Sequence, residues 1–188
     1  MEELSTTIRK ENIRNLQKSM DSLGISLSNV PLYWLLDTDF FTAPASTKYH
    51  GCYLGGLFDH SMNVVDELLR LDQIGASAPW TRKESPFIVG LLHDVTKIGL
   101  YVPNTDTVSN GPYKVNPEYK SYGGHGNDSV CKILQHMELT TEEMYCIRYH
   151  MGAYETDAWN KYDEAIRLFP NVLWTHTADM VASKLLEG

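Results

Sequence analysis

Histidine and aspartate are the residues of this chain whose spacing is most informative about chemistry. The chain contains seven histidines, and neutral imidazole together with carboxylate is a ligand set that intermediate divalent metals select. One of them, His93, is followed directly by Asp94. Two successive side chains can reach one metal ion only where a helix end lets both point to the same centre. The pair therefore indicates a metal site at a helix terminus.

A lone His-Asp pair is usually an ordinary core or surface feature, but here it stands within an ordered set of segments. The set consists of Gly55-Gly56-Leu57-Phe58-Asp59-His60, then Leu91-Leu92-His93-Asp94-Val95-Thr96-Lys97, then His176-Thr177-Ala178-Asp179. It resembles the HD superfamily of metal-dependent phosphohydrolases. The resemblance implies an all-α HD-domain helical bundle in which ligands from different helices bind a divalent metal. The matching ligands are His60, His93, Asp94 and Asp179.

Two further segments extend the resemblance to members that bind two metals. Gly124-His125 and His150-Met151-Gly152 stand where those members carry two additional histidines. We therefore expect His125 and His150 to complete a second metal site, with Asp94 bridging the two ions and helping to hold an attacking hydroxide. The resemblance implies manganese or iron, with nickel, cobalt, zinc and magnesium as alternatives.

Such a centre suits phosphoester hydrolysis, because a bound divalent ion lowers the pKa of its water toward about 7 and a second ion clamps the attacking and leaving oxygens. Asp94 and Lys97 are the expected catalytic residues. Lys97 lies four residues after His93, and family members with this spacing use the lysine near the substrate phosphate. A solvated surface lysine is the alternative. Further expected substrate contacts are Arg148, His50 and His176, and His136 is expected on the surface.

The segment from His50 to His60 most resembles the HD module of bacterial 3′-to-5′ exoribonucleases that join an OB-fold to an HD domain, and the similarity runs to about Leu186. We expect the residues before His50 to form a lead-in helix and not the N-terminal OB-fold of that group. The chain also has Gly51 and Leu54 where the group tends to carry a second histidine and a basic residue. We therefore expect a small phosphorylated or nucleotide substrate, with short single-stranded nucleic acid as the second expectation.

The leading hypothesis is a phosphohydrolase that cleaves a phosphomonoester or phosphodiester of a nucleotide-like substrate through a metal-activated hydroxide. The alternatives are a 3′-to-5′ exonuclease acting on short oligonucleotides, a non-catalytic HD module that binds a nucleotide or partner, and a di-iron oxygenase. Oligomeric state does not follow from the sequence.

Apolar periodicity and terminal residues predict helices for most of the chain. The predicted spans are Ser5–Leu23, Leu54–Ile74, Ser85–Ile98, Gly126–Met137, Thr140–His150, Tyr162–Phe169 and Val172–Leu186, with a loop at Gly152–Asn160. Together they predict one domain over residues 1–188, with a lead-in helix within residues 1–24 and the motif-bearing core over about residues 50–187.

The helical pattern stops between Tyr101 and Tyr122. Asn110-Gly111, flanked by Thr107-Val108 and Tyr113-Lys114-Val115, is a hairpin signal. We expect a small two-stranded flap or an irregular surface loop in this insertion.

Bulk properties narrow the function class. The 188 residues are 43% hydrophobic with a net charge of −8, which argues against a surface that grips a long phosphate backbone. No apolar run approaches the roughly 20 residues of a membrane span, and the charged start is unlike a signal sequence, so we expect a cytoplasmic protein. The cysteines, Cys52, Cys131 and Cys146, form no CxxC pair and are expected to be buried free thiols.

Overall fold

The computed structural model describes residues 2–105, 111–121, 123–154 and 159–187. The helices in this part of the chain are α1 (Glu2–Leu23), α2 (Leu32–Leu36), α3 (Gly56–Gln73), α4 (Ser85–Leu92), α5 (His125–Ile133), α6 (Thr141–Tyr149), α7 (Trp159–Leu168) and α8 (Asn171–Val181). Strands β1 (Tyr101–Pro103) and β2 (Tyr113–Val115) form a sheet. Short 3-10 helices occupy Leu27–Asn29, Val95–Lys97 and Gly152–Tyr154, and a π-helical turn, Ala182–Leu186, continues α8. The predicted mostly helical class with a small insertion is confirmed.

Helix α4 lies at the centre of the core. Its sequence is apolar on nearly every side, and all eight of its residues are buried. A helix of this kind must be surrounded by other elements, and α3 and α6 pack against it. Helix α8 packs against both α3 and α6, and α5 packs against α6. The elements that carry the conspicuous histidines and aspartates therefore surround one short buried helix.

Two glycines allow close contacts between helices. A Cβ atom at Gly90 would lie 2.7 Å from the Cα atom of Val65, so α3 and α4 touch backbone to backbone at this point. A Cβ atom at Gly126 would lie 2.1 Å from the carbonyl oxygen of Arg148, so α5 and α6 also touch backbone to backbone. Larger residues at these positions would force the helices apart and separate the side chains that they carry.

A buried carboxylate ties the start of α6 to the start of α4. Thr140 and Glu143 form a capping box, with each side chain bonded to the other residue's backbone N–H. The Glu143 carboxylate also accepts two hydrogen bonds of 2.8 Å from the Arg82 guanidinium and one of 2.8 Å from the Ser85 hydroxyl. Because Glu143 is fully buried, these partners compensate its charge and fix α6 relative to α4.

The described residues of the insertion contain a two-stranded antiparallel hairpin, as predicted. Tyr113–Val115 forms β2 as expected, and it pairs antiparallel with Tyr101–Pro103, with Tyr101 opposite Val115 and Pro103 opposite Tyr113. Thr107, Val108 and Asn110 of the predicted hairpin lie outside the described residues. The turn signal at Asn110-Gly111 therefore predicted strand β2, whereas its partner, strand β1, comes from residues that follow the Val95–Lys97 turn.

The predicted helix Ser85–Ile98 is wrong beyond Leu92. Asp94 has φ −109° and ψ 16°, which is not helical, and the chain tightens into a 3-10 turn closed by a hydrogen bond of 2.9 Å from Lys97 N to Asp94 O. His93 still has helical dihedral angles and donates its backbone N–H to Val89 O, so the departure from the helix begins at Asp94. The other predicted helices match observed ones to within a few residues, although α2 was not predicted and the Gly152–Asn160 loop contains a 3-10 helix and the start of α7.

Only one cysteine matches the expectation of burial. Cys146 on α6 is fully buried and burial raises the pKa of its thiol, whereas Cys52 is half-buried and Cys131 on α5 is exposed. Cys131 was wrongly predicted because it lies on the outward face of an amphipathic helix. None of the described helices has the length and apolar character needed to cross a lipid bilayer.

We predict that Gly90→Ala destabilises the fold. Alanine favours a helix by about 1 kcal/mol over glycine, but its Cβ would collide with backbone atoms of α3, so we expect a net loss of roughly 2 kcal/mol. Urea unfolding followed by circular dichroism measures the change. Gln17→Ala, at an exposed position of α1, is the matched control and should shift the unfolding free energy by less than about 0.5 kcal/mol. An unchanged midpoint for Gly90→Ala would contradict the close approach.

Candidate metal centre

The structure brings all six predicted metal ligands into one cluster, although they come from five separate helices. His60 lies on α3, His93 and Asp94 follow the last residue of α4, His125 opens α5, His150 follows α6, and Asp179 lies on α8. Four of them, at positions 60, 93, 94 and 150, are almost completely buried. We call His60 and His93 the first imidazole pair, and His125 and His150 the second imidazole pair.

The first imidazole pair meets at its Nε2 atoms. His60 Nε2 lies 3.2 Å from His93 Nε2 and 3.2 Å from Oδ1 of Asp179. One ligand atom from each of these three residues falls within 4.8 Å of the others, and the same holds for His93, Asp94 and His150. These two groups share His93. Each supplies three donor atoms close enough together to hold a metal ion.

Hydrogen bonds on the far side of the rings determine which nitrogen is free. Nδ1 of His93 donates to the carbonyl oxygen of Gly90 at 2.8 Å, and Nδ1 of His150 donates to that of Ile147 at 2.7 Å. A carbonyl oxygen can only accept, so the proton of each neutral ring is on Nδ1. The Nε2 lone pairs of both rings are therefore directed into the cluster, as metal ligation requires.

His60 is held in the same way by a carboxylate. Its Nδ1 lies 3.0 Å from Oε1 of Glu187, which in turn accepts a hydrogen bond of 2.9 Å from the Asn63 amide. Burial lowers the pKa of His60, but the hydrogen bonds to Asp179 and Glu187 outweigh burial and raise it to about 9. Burial lowers the pKa of His93 to about 4. The contact between the two Nε2 atoms therefore needs positive charge, which a proton on His60 or a bound cation can supply.

Asp94 joins the two imidazole pairs through its two carboxylate oxygens. Oδ2 lies 3.5 Å from both Nε2 atoms of the first imidazole pair. Oδ1 lies 3.0 Å and 3.5 Å from the Nε2 atoms of the second imidazole pair. Each carboxylate oxygen of Asp94 therefore faces a different imidazole pair.

Lys97 completes the surroundings of Asp94. Its Nζ atom lies 2.6 Å from Asp94 Oδ2, and the side chain is buried. Burial by itself raises the pKa of Asp94, but the adjacent Lys97 ammonium and the imidazoles outweigh it and hold that pKa well below its usual value. In the same way the carboxylate raises the pKa of Lys97. Both groups are therefore charged, and the cluster contains a permanent cation beside its central anion.

The environment of Nε2 of His150 favours a cation within the cluster. Nε2 of His150 is buried, and Oδ1 of Asp94 lies 3.5 Å from it, at the outer limit of a hydrogen bond. Leaving a buried polar atom without a partner costs about 1–3 kcal/mol, and buried polar groups are normally satisfied. Since the Nδ1 proton is already donated to Ile147, a cation is the partner that suits this lone pair. The buried histidine and aspartate groups can thus hold a metal ion.

A cavity of about 430 Å³ opens onto the cluster. One part of its wall is formed by Asp94, Lys97, His125 and Asp179. The central carboxylate, its lysine partner and two of the other predicted ligands therefore face the same space. The structure also places Tyr101 of β1 in this wall. The insertion therefore contributes to the cavity through its first strand.

The residues expected to contact substrate occupy different places. His50, Lys97 and His176 line the cavity. His176 donates from Nδ1 to the carbonyl oxygen of His150 at 2.7 Å, so it also holds the end of α6. Arg148 does not belong to the described lining residues, and its guanidinium lies over the Tyr149 ring. His136 is exposed, as predicted, and stacks on Trp34 outside the cluster.

Sequence reasoning missed Glu187 and its partner Asn63. Asn63 lies one turn after His60 on α3, which is a signal that helical spacing could have supplied. Glu187 lies beyond the helix predicted to end at Leu186 and belongs to no motif. Its contact with His60 joins residues 127 positions apart, so no local pattern indicates it.

Comparisons with protein-family models, with curated proteins and with solved structures find no match. The donor atoms themselves indicate which ions the cluster could hold. Four imidazoles and two carboxylates, without a thiolate among them, suit divalent ions of intermediate hardness.

We predict that Mn²⁺ stabilises the protein against heat through this cluster. At a metal concentration about 100 times the dissociation constant, binding to the folded state alone adds about 2.7 kcal/mol. Differential scanning fluorimetry with and without Mn²⁺ measures the increment in Tm. His93→Ala removes a ligand shared by both groups and should abolish the increment, whereas His136→Ala removes an imidazole outside the cluster and should preserve it. An equal increment in both variants would place the bound ion elsewhere.

Proposed function

We propose that this protein is a metal-dependent phosphohydrolase of the HD superfamily, which cleaves a phosphomonoester or phosphodiester of a small nucleotide-like substrate. The observation that carries the proposal is the position of Asp94. Its two oxygens face two pairs of imidazoles, and a buried lysine lies beside it at a cavity wall. This combination suits a reaction in which negative charge develops on phosphate oxygens.

The donor set favours two divalent cations, manganese or iron. The first imidazole pair and Asp179 would hold one ion, the second imidazole pair would hold the other, and Asp94 would contact both. When bound, such ions acidify a coordinated water molecule and neutralise charge on the phosphoryl oxygens. The hydrogen bonds to Nδ1 of the rings keep the Nε2 lone pairs directed at the ions without rearrangement.

Lys97 has the position of a residue that binds the phosphate. Its ammonium group is held by Asp94 and faces the cavity. A preorganised cation in a site with little water stabilises developing charge more strongly than it would in bulk solvent. We assign Lys97 the neutralisation of a non-bridging phosphate oxygen, because its ion pair with Asp94 favours retention of the proton.

Short single-stranded nucleic acid is a second candidate substrate, and two tyrosines favour it. Tyr49 and Tyr154 line the same cavity yet are 69% and 68% exposed. Aromatic faces exposed at the mouth of a cavity can stack on nucleobases, with about 1–3 kcal/mol per base. A reaction that shortens oligonucleotides from one end would favour this candidate, and release of inorganic phosphate from mononucleotides would favour the first.

The test combines metal analysis with a substrate screen. Purified protein, depleted of metal and then supplied with Mn²⁺ or Fe²⁺, is incubated with nucleotides, cyclic dinucleotides and short oligonucleotides. We expect Lys97→Gln to lower kcat by about 10²-fold and Asp94→Asn to abolish turnover, while His136→Ala retains the wild-type rate. Hydrolysis by Asp94→Asn as fast as by the wild type would overturn the proposal. Stoichiometric metal without turnover on any substrate would favour a non-catalytic binding module.

A further inference from the structure

Glu187 contacts the metal centre from the outside. Its carboxylate is 6% exposed and lies 3.0 Å from Nδ1 of His60, on the side of the ring opposite the cluster. The Asn63 amide donates to the same carboxylate oxygen at 2.9 Å. The other oxygen, Oε2, is buried, and no described residue forms a hydrogen bond with it. The side chain is therefore held against one ring by two polar contacts.

The π-helical turn explains how this contact arises. Glu187 follows Asp179 by eight residues. In a regular α-helix, the residue seven positions later returns to within about 20° of the same face, whereas the residue eight positions later lies about 80° away. The Ala182–Leu186 turn closes with a hydrogen bond of 3.1 Å from Glu187 N to Ala182 O. This i to i+5 bond inserts one residue, so Glu187 takes the place that Leu186 would otherwise occupy.

Leu186 itself is 59% exposed. A regular helix would therefore direct an apolar side chain toward His60, and the π turn replaces it with a carboxylate. Turns of this kind are rare in proteins, and many of those that do occur lie at functional sites.

Glu187 could instead be a ligand of a separate metal ion, but His60 has only two ring nitrogens, and one of them already faces the cluster. Ligand atoms of His50, His60 and Glu187 lie within 4.8 Å of one another, which would permit a separate ion on the outer side of the ring. Such an ion would need Nδ1 of His60 as a ligand while Nε2 faces the cluster. The imidazole would then have to lose both protons. A hydrogen bond from Nδ1 to Glu187 requires no such loss.

We propose that Glu187 is a positioning residue for His60. It accepts the Nδ1 proton, fixes the orientation of the ring and makes Nε2 a stronger electron-pair donor toward the cation. Asn63 holds the carboxylate in place. This inference rests on the proposed metal site, and it concerns the affinity and geometry of that site rather than the identity of the substrate.

Metal affinity tests the role. Removing a partner that orients a ligating histidine typically weakens metal binding 10–100-fold, so we expect Glu187→Ala to raise the Kd for Mn²⁺ by that factor. Glu187→Gln retains an acceptor but loses the charge and should fall between Glu187→Ala and the wild type. Glu138→Gln makes the same charge change at an exposed position and should leave the Kd unchanged. The absorption spectrum of the Co²⁺-substituted protein should change in Glu187→Ala and remain unchanged in Glu138→Gln.

A second measurement does not depend on metal binding. In the metal-free protein, proton–nitrogen NMR of labelled histidine should show the His60 proton on Nδ1, shifted downfield by the carboxylate, and this signal should disappear in Glu187→Ala. If the signal is present but the wild type binds no metal, the proposed function fails while the role of Glu187 in holding His60 stands. A wild-type Kd and Co²⁺ spectrum in Glu187→Ala, or a His60 proton unaffected by the substitution, would overturn the inference.

Discussion

The buried carboxylate of Asp94 is the group on whose compensation the rest of the structure depends. Removing an ion from water costs several kcal/mol even after the protein relaxes, so the charge must be compensated by its neighbours. Lys97 supplies a cation at 2.6 Å, and four imidazoles surround both oxygens. No one helix could present these groups to one point. The convergence of α3, α4, α5, α6 and α8 follows from that requirement.

The way the helices end is as important as how they pack. Helix α4 stops at Leu92, which allows two successive side chains, His93 and Asp94, to face the same centre. His150 similarly follows the last residue of α6, and its ring bonds back to a carbonyl oxygen of that helix. Close contact at Gly90 and Gly126 then sets the distances between neighbouring helices. The early helix ends and the small residues at helix contacts thus allow side chains from different helices to meet in one cluster.

Hydrogen bonds on the outer side of three imidazole rings fix the orientation of those rings. Backbone carbonyl oxygens hold the outer nitrogens of His93 and His150, and a carboxylate holds that of His60. Each bond leaves the inner nitrogen facing the cluster. Because these bonds already fix the rings, a bound cation would not have to supply the free energy of ordering them. Lys97 and Asp94, the central ion pair of the cluster, both face the cavity.

The helical class, most helix positions and the six residues that form the cluster could be predicted from the sequence. These follow from local periodicity, from capping signals such as Thr140 with Glu143, and from an ordered set of motifs. Three features became apparent only in the folded protein: the partner of strand β2, the early end of α4 and the contribution of Glu187. All three have the same cause. Each depends on contacts between distant parts of the chain or on a departure from the regular helical repeat, and a local pattern contains neither.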